Sequence, residues 1–143
     1  MTRVETTTDI DAPPETVWSV LTAPDRGWDP FFVRLDGRFA VGDRLRVRLS
    51  DLGGGLRFRP VVVVADPPHE LVWLGRLLLP RLFDGRHGFR LDPLPGGGTR
   101  LHHGEDFRGL LVPLAAASLR RTADGFRAFD AALRERAEAT AHV

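Results

Sequence analysis

The chain has 143 residues, with 20 basic side chains against 19 acidic ones and a net charge of +1. That length suits one domain spanning residues 1–143, able to bury about two-thirds of its unfolded surface. So balanced a charge gives no bulk field for nucleic acid or an anionic membrane. Every basic residue is Arg, and Lys, Tyr, Asn, Gln and Cys are absent, which removes disulfides, thiol nucleophiles and Cys-ligated zinc.

The first dozen residues are polar and alternating, without the apolar core of a signal peptide. No segment approaches the ~18 apolar residues of a membrane span. A cytoplasmic location without stable membrane insertion is the expectation. Thr2 to Asp11 carries Val4, Thr6, Thr8 and Ile10 on one side and reads as a strand. Ala12-Pro13-Pro14 ends it and opens a short helix, since proline is tolerated in a first turn. Val17, Trp18, Val20 and Leu21 give that helix a buried face.

Pro24 to Pro30 reads as a connection or a second short helix, and a strand is expected near Val33 to Ala40. Asp43 to Leu49 alternates strictly, with Leu45, Val47 and Leu49 opposed to Arg44, Arg46 and Arg48. A glycine-rich turn at Asp51 to Gly55 leads into a strand over Leu56 to Ala65, and Asp66-Pro67-Pro68 turns into Glu70 to Leu77. Asp84 to Asp92 and Thr99 to Phe107 form a hairpin. From about Val112 to Ala139 the period becomes helical, with Leu119, Thr122, Phe126, Phe129 and Leu133 in one stripe. A one-sided antiparallel sheet must cover its apolar face, and the final helix is the cover.

With the elements in this order, the chain resembles the START-like (SRPBCC, polyketide cyclase/dehydrase-type) superfamily over nearly its whole length. The residues that carry the resemblance are Ile10 to Trp18, Val41-Gly42-Asp43, Asp66-Pro67-Pro68 leading to Leu71-Val72-Trp73, and Thr99-Arg100-Leu101 with Glu105 and Phe107. The resemblance implies an α+β helix-grip fold, a curved antiparallel sheet of six or seven strands around a long C-terminal helix, holding an apolar ligand cavity. It does not choose a function, because members of the superfamily bind lipids and hormones, cyclise polyketides or dock onto other proteins.

Antiparallel strands reverse at every turn, so the connections Asp51–Gly55, Leu78–Phe83 and Arg108–Pro113 share one end of the sheet. That end gathers Leu77, Leu78, Leu79, Leu82, Phe83, Leu110, Leu111 and Val112 among glycines and prolines. Such a greasy rim is either a lid over a pocket or an interface, including one with a second copy of the chain. Flanked by Arg76, Arg81 and Arg108, it also suits transient docking on a membrane.

Period-two parity turns His87 inward with Phe89 and Leu91, and His103 and Glu105 inward with Leu101 and Phe107. His87 then lies opposite either Glu105 or His103. The three form an acid/base group, a polar grip on a ligand head group, or a mutually satisfied buried cluster. They match no metal-binding motif, and neither a metal nor a cofactor is expected. Trp73, Phe58, Leu79, Phe83, Phe89, Leu101, Phe107, Leu111, Phe126 and Phe129 are the expected cavity wall. Arg44, Arg46, Arg48, Arg57 and Arg59 form a solvated outer stripe. The leading expectation is a binder of a small hydrophobic molecule, polyketide, aromatic or lipid-like. The alternatives are a cofactor-free cyclase or dehydratase using His87, Glu105 and His103, and a co-chaperone-like interaction domain.

Overall fold

The computed structural model describes residues 2–77, 83–114 and 116–143, the side chains of 77, 83, 114 and 116–118 excepted. In chain order the elements are β1 (Thr2–Ile10), α1 (Pro14–Thr22), β2 (Phe32–Asp36), β3 (Arg46–Leu49), β4 (Arg57–Phe58), β5 (Val61–Asp66), β6 (Glu70–Leu77), β7 (Phe83–Pro93), β8 (Thr99–Arg108) and α2 (Ala116–Ala141). Single 3₁₀ turns lie at Asp51–Gly53 and Val112–Leu114. The second of these occupies the first residues expected to be helical. The fold is α+β, an antiparallel sheet with a long C-terminal helix, as expected.

The described residues form eight strands, close to the six or seven expected. The expected strand over Leu56 to Ala65 is broken at Pro60, which has no N–H to give to a ladder. Residues 57–58 pair with β3, whereas residues 61–66 pair with β6. β2 stops at Asp36 instead of reaching Ala40. Gly37 turns there at φ 134°, and its α-carbon comes so close to Leu45 that a Cβ would lie 3.1 Å from that side chain. The large sheet has the order β1-β8-β7-β6-β5 and the small one β2-β3-β4. Backbone bonds join their edges: Leu45 N–H donates to Pro60, Gly42 to Val62 and Val62 to Asp43, each at 2.9 Å. The two sheets therefore wrap as one curved surface.

α2 lies in the hollow of that surface. Phe126, Phe129, Leu133 and Ala137 are fully buried, as the stripe requires, and they meet Leu71, Phe89, Leu91 and Leu101 from the large sheet. Arg127, Arg134, Glu135 and Arg136 point to solvent, as does the arginine stripe from Arg44 to Arg59. At the far end of the β7–β8 hairpin, Pro93 pairs with Thr99. This register puts His87 opposite Glu105 and Phe89 opposite His103, deciding between the two pairings that parity left open.

The segment between α1 and β2 holds a buried ion pair that its sequence did not reveal. Arg26 and Asp29 have side chains only 4% and 0% exposed. The guanidinium donates to Asp29 at 2.5 Å, to the carbonyls of Leu21 and Ala23 at the end of α1, and lies 4.7 Å from the Trp28 ring centre. Asp29 in turn accepts the N–H groups of Phe31 and Phe32 at 2.8 and 2.9 Å, delivering both rings into the core. Burial pushes the Asp29 carboxyl up, and the pair with Arg26 opposes this. Removing one partner strands the other charge in the interior. Asp29→Ala is therefore expected to lower the unfolding free energy by about 3–5 kcal/mol in denaturant titration, with the larger part regained in an apolar replacement of both residues.

Candidate functional site

The concave face changes character along its strands. Near the β7–β8 turn it is filled: Leu71, Phe89 and Leu101 lie under α2 with no exposed surface to speak of. At the opposite end Gly75 of β6 pairs directly with Gly85 of β7, and two missing side chains leave a hollow. A cavity of about 560 Å³ occupies it, within the usual range for small-molecule sites. Phe31, Phe32, Leu49, Leu56, Phe58 and Phe107 make its walls apolar. Neither position has much room to spare on the cavity side: a Cβ at Gly75 would lie 3.3 Å from the Phe58 ring, and one at Gly85 would displace the Glu105 carboxylate.

Of the residues expected to line the cavity, Phe58, Phe107 and Leu111 do so. Trp73, Phe89, Leu101, Phe126 and Phe129 instead form the packed core beneath it. Of the described stripe residues on α2, Leu119 and Thr122 near its start reach the cavity, and Phe126, Phe129 and Leu133 are packed in the core. Leu79 and the side chain of Phe83 lie outside the described residues, as do the rim residues Leu78, Pro80, Arg81 and Leu82. At the rim, Asp51 to Gly54 and Leu111 meet around the same opening, so two of the three connections expected to share an end do share it. Leu110 projects into solvent, while Val112 is buried.

His87 and Glu105 stand together in the cavity wall. Glu105 Oε1 lies 3.0 Å from His87 Nδ1, and His87 Nε2 lies 2.7 Å from His103 Nε2. His103 Nδ1 is 2.7 Å from Asp130 Oδ1 on α2, and Thr6 of β1 donates its hydroxyl to Asp130 Oδ2 at 2.5 Å. A continuous chain thus runs from the cavity through the core to β1: Glu105, His87, His103, Asp130, Thr6. Parity brought three of these residues to one face, and the structure brings them into contact.

Asp130 and Thr6 were missed. Thr6 stands on the inward side of β1 with Val4, Thr8 and Ile10. Asp130 falls four residues after Phe126 and three before Leu133, so it occupies the apolar stripe of α2. A carboxylate in that phase is the signal that would have found it. His102, on the outer face of β8, is half-buried and paired with Asp92 at 3.0 Å.

Aromatic rings seal the chain from water. His103 is sandwiched between Phe89 and Phe126, with ring centres 4.6 and 4.0 Å away and planes within 22° and 12° of parallel. His87 stacks on Trp73 at 4.9 Å and meets Phe32 edge-on at 5.5 Å. Burial lowers the His103 pKa to about 4, despite the opposing pull of Asp130. An unfolded histidine takes up its proton near pH 6.5, so acid between these values favours the unfolded chain. This histidine contributes on the order of 3 kcal/mol that is present above about pH 6.5 and lost as pH falls through about 4. Denaturant midpoints measured across that window are expected to fall with pH, and to fall less steeply in a variant with leucine at both 103 and 130.

The fold recurs in solved structures. Protein MLL2253 from Mesorhizobium loti aligns with a TM-score of 0.75 at 24% identity, covering 94% of this chain and 95% of that one. A START superfamily protein from Mycobacterium smegmatis aligns with a TM-score of 0.74 at 19% identity, covering 96% and 98%. DynU16, described as a protein of the dynemicin biosynthetic locus, aligns with a TM-score of 0.70 at 22% identity, covering 93% of this chain and 46% of that one. No curated protein matches the sequence. The family model for polyketide cyclase / dehydrase and lipid transport proteins matches residues 1–139, and the chain belongs to that family.

Proposed function

We propose that the chain binds one small, mainly hydrophobic molecule, aromatic, polyketide-like or lipid-like, in the cavity between Gly75, Gly85 and Phe58. The observation that carries this reading is a cavity of about 560 Å³ with mainly aromatic and aliphatic walls, in which His87 and Glu105 stand as a bonded polar pair. Apolar walls with a few placed polar groups are the usual make-up of a small-molecule site, the walls giving affinity and the polar groups orientation. Family membership supports the same reading, since lipid transport and polyketide chemistry both call for an apolar enclosure. A second reading, a cofactor-free cyclase or dehydratase, is supported by the His87–Glu105 contact. An imidazole partnered by a carboxyl can hold and release a proton at the wall.

Binding is tested with naphthalene as probe. Trp73 stacks on His87, so a ligand in the cavity is expected to alter tryptophan fluorescence. Gly75→Leu fills the hollow from its floor and is expected to weaken naphthalene about tenfold or more, with thermal stability retained. Equal affinity in the wild type and this variant would remove the cavity from the account. The enzyme reading predicts a different separation: Glu105→Gln or His87→Phe abolishes turnover of a true substrate while naphthalene still binds.

A further inference from the structure

The chain from Glu105 to Asp130 can be read as a count of protons. Three contacts join four groups: Glu105 with His87, His87 with His103, and His103 with Asp130. Each contact needs one hydrogen. Two neutral imidazoles supply two between them, because each carries a single N–H. The fully bonded chain therefore holds one proton more than two neutral histidines and two carboxylates contain.

The inner end decides where that proton sits. Asp130 already accepts from Thr6 and, as an acceptor, takes the Nδ1–H of His103. His103 Nε2 is then bare, and the 2.7 Å contact requires that His87 supply the hydrogen from its own Nε2. His87 Nδ1 is left facing Glu105 Oε1, with one proton between them. The burial that keeps His103 neutral supports the same placement, for it moves the additional proton outward along the chain. The other ionisable groups on the cavity wall are Arg121 of α2 and Asp51 after β3.

We propose that Asp130, Thr6 and His103 are positioning residues that fix His87 as its Nε2–H form, so that one exchangeable proton is shared by His87 Nδ1 and Glu105 Oε1 while Oε2 faces the ligand as a bare hydrogen-bond acceptor. Whether the shared proton rests on nitrogen or on Oε1, Oε2 carries none. It lies over Gly85, where a Cβ would collide with it, on the side of the cavity. Such an acceptor selects a ligand bearing a donor, an O–H on an apolar body. This assignment of ligand chemistry rests on the cavity reading above, whereas the relay itself does not.

The relay is tested without ligand, by heteronuclear NMR of the imidazole nitrogens in the full chain. In the wild type, His103 is expected to show a protonated Nδ1 and bare Nε2, and His87 a protonated Nε2. Replacing both inner groups, His103→Leu with Asp130→Leu, removes partner and charge together and limits the cost of an unpaired buried group. His87 then has only Glu105 to bond, and its hydrogen is expected to move from Nε2 to Nδ1. Glu105→Gln provides a milder check, since its amide can donate to Nδ1 and His87 then keeps its Nε2–H. A bare Nε2 on His87 in the wild type or in Glu105→Gln, or no change at His87 in the double replacement, would overturn the relay. The acceptor is tested by comparing naphthol with methoxynaphthalene and naphthalene. Naphthol is expected to bind about tenfold tighter than either. Equal binding of the three would overturn the ligand assignment, and failure of naphthalene itself to bind would overturn the cavity reading while leaving the NMR result standing.

Discussion

An apolar interior tolerates a polar group only when that group is bonded. The core of this protein carries a whole line of them. His103 is the member on which the line depends: with no exposed surface and a phenylalanine ring on each face, neither nitrogen can turn to water. One must find Asp130 and the other His87. Meeting both demands ties β8 to β7 and to α2, and the Thr6 hydroxyl joins β1 to the same carboxylate. Hydrophobic burial brings helix and sheet together without direction; the bonded line supplies the direction.

The same line divides the hollow of the sheet into two regions. On one side of it, phenylalanine and leucine side chains from α2 and the large sheet pack into a buried core. On the other, paired glycines hold the space open. The helix therefore grips the sheet firmly along its C-terminal half and stands off near its start, where Leu119 and Thr122 reach the cavity. The buried Arg26–Asp29 pair serves the same division from the side. It ties off α1 and sends Phe31 and Phe32 inward, and those two rings are at once part of the core and part of the cavity wall.

Much of this was legible in the residues, for local reasons. Alternation in strands is a geometric necessity, so Leu45, Val47 and Leu49 could be set against the arginines between them, and His87, His103 and Glu105 assigned one face. The pairing between His87 and Glu105 was not legible, because parity allows every second register and only the closed hairpin selects one. Pro60 marked a break that the surrounding valines concealed. Asp130 was hidden by the strength of the pattern around it: a stripe of phenylalanine and leucine draws attention to itself rather than to the one carboxylate in phase. Arg26 and Asp29 gave no periodic signal, since their pairing depends on a turn. The cavity was placed at the right end by strand reversal, yet its wall was drawn too deep. Trp73, Phe89 and Phe126 have inward parity, but parity does not distinguish a side chain facing space from one facing another side chain.

The facing glycines Gly75 and Gly85 have a bearing on how such a protein can diversify. A floor made of backbone, with its polar groups already committed to the sheet ladder, contributes room but no selectivity. On the proposed reading, discrimination among ligands by shape falls to residues from the other sheet and the turn after it, such as Leu49, Leu52 and Leu56, whereas the relay histidines lie on β7 and β8. Chemistry and fit thus reside on separate parts of the chain. Changes at these leucines can retailor the enclosure for a new guest while the proton-bearing machinery in β7, β8 and α2 stays as it is.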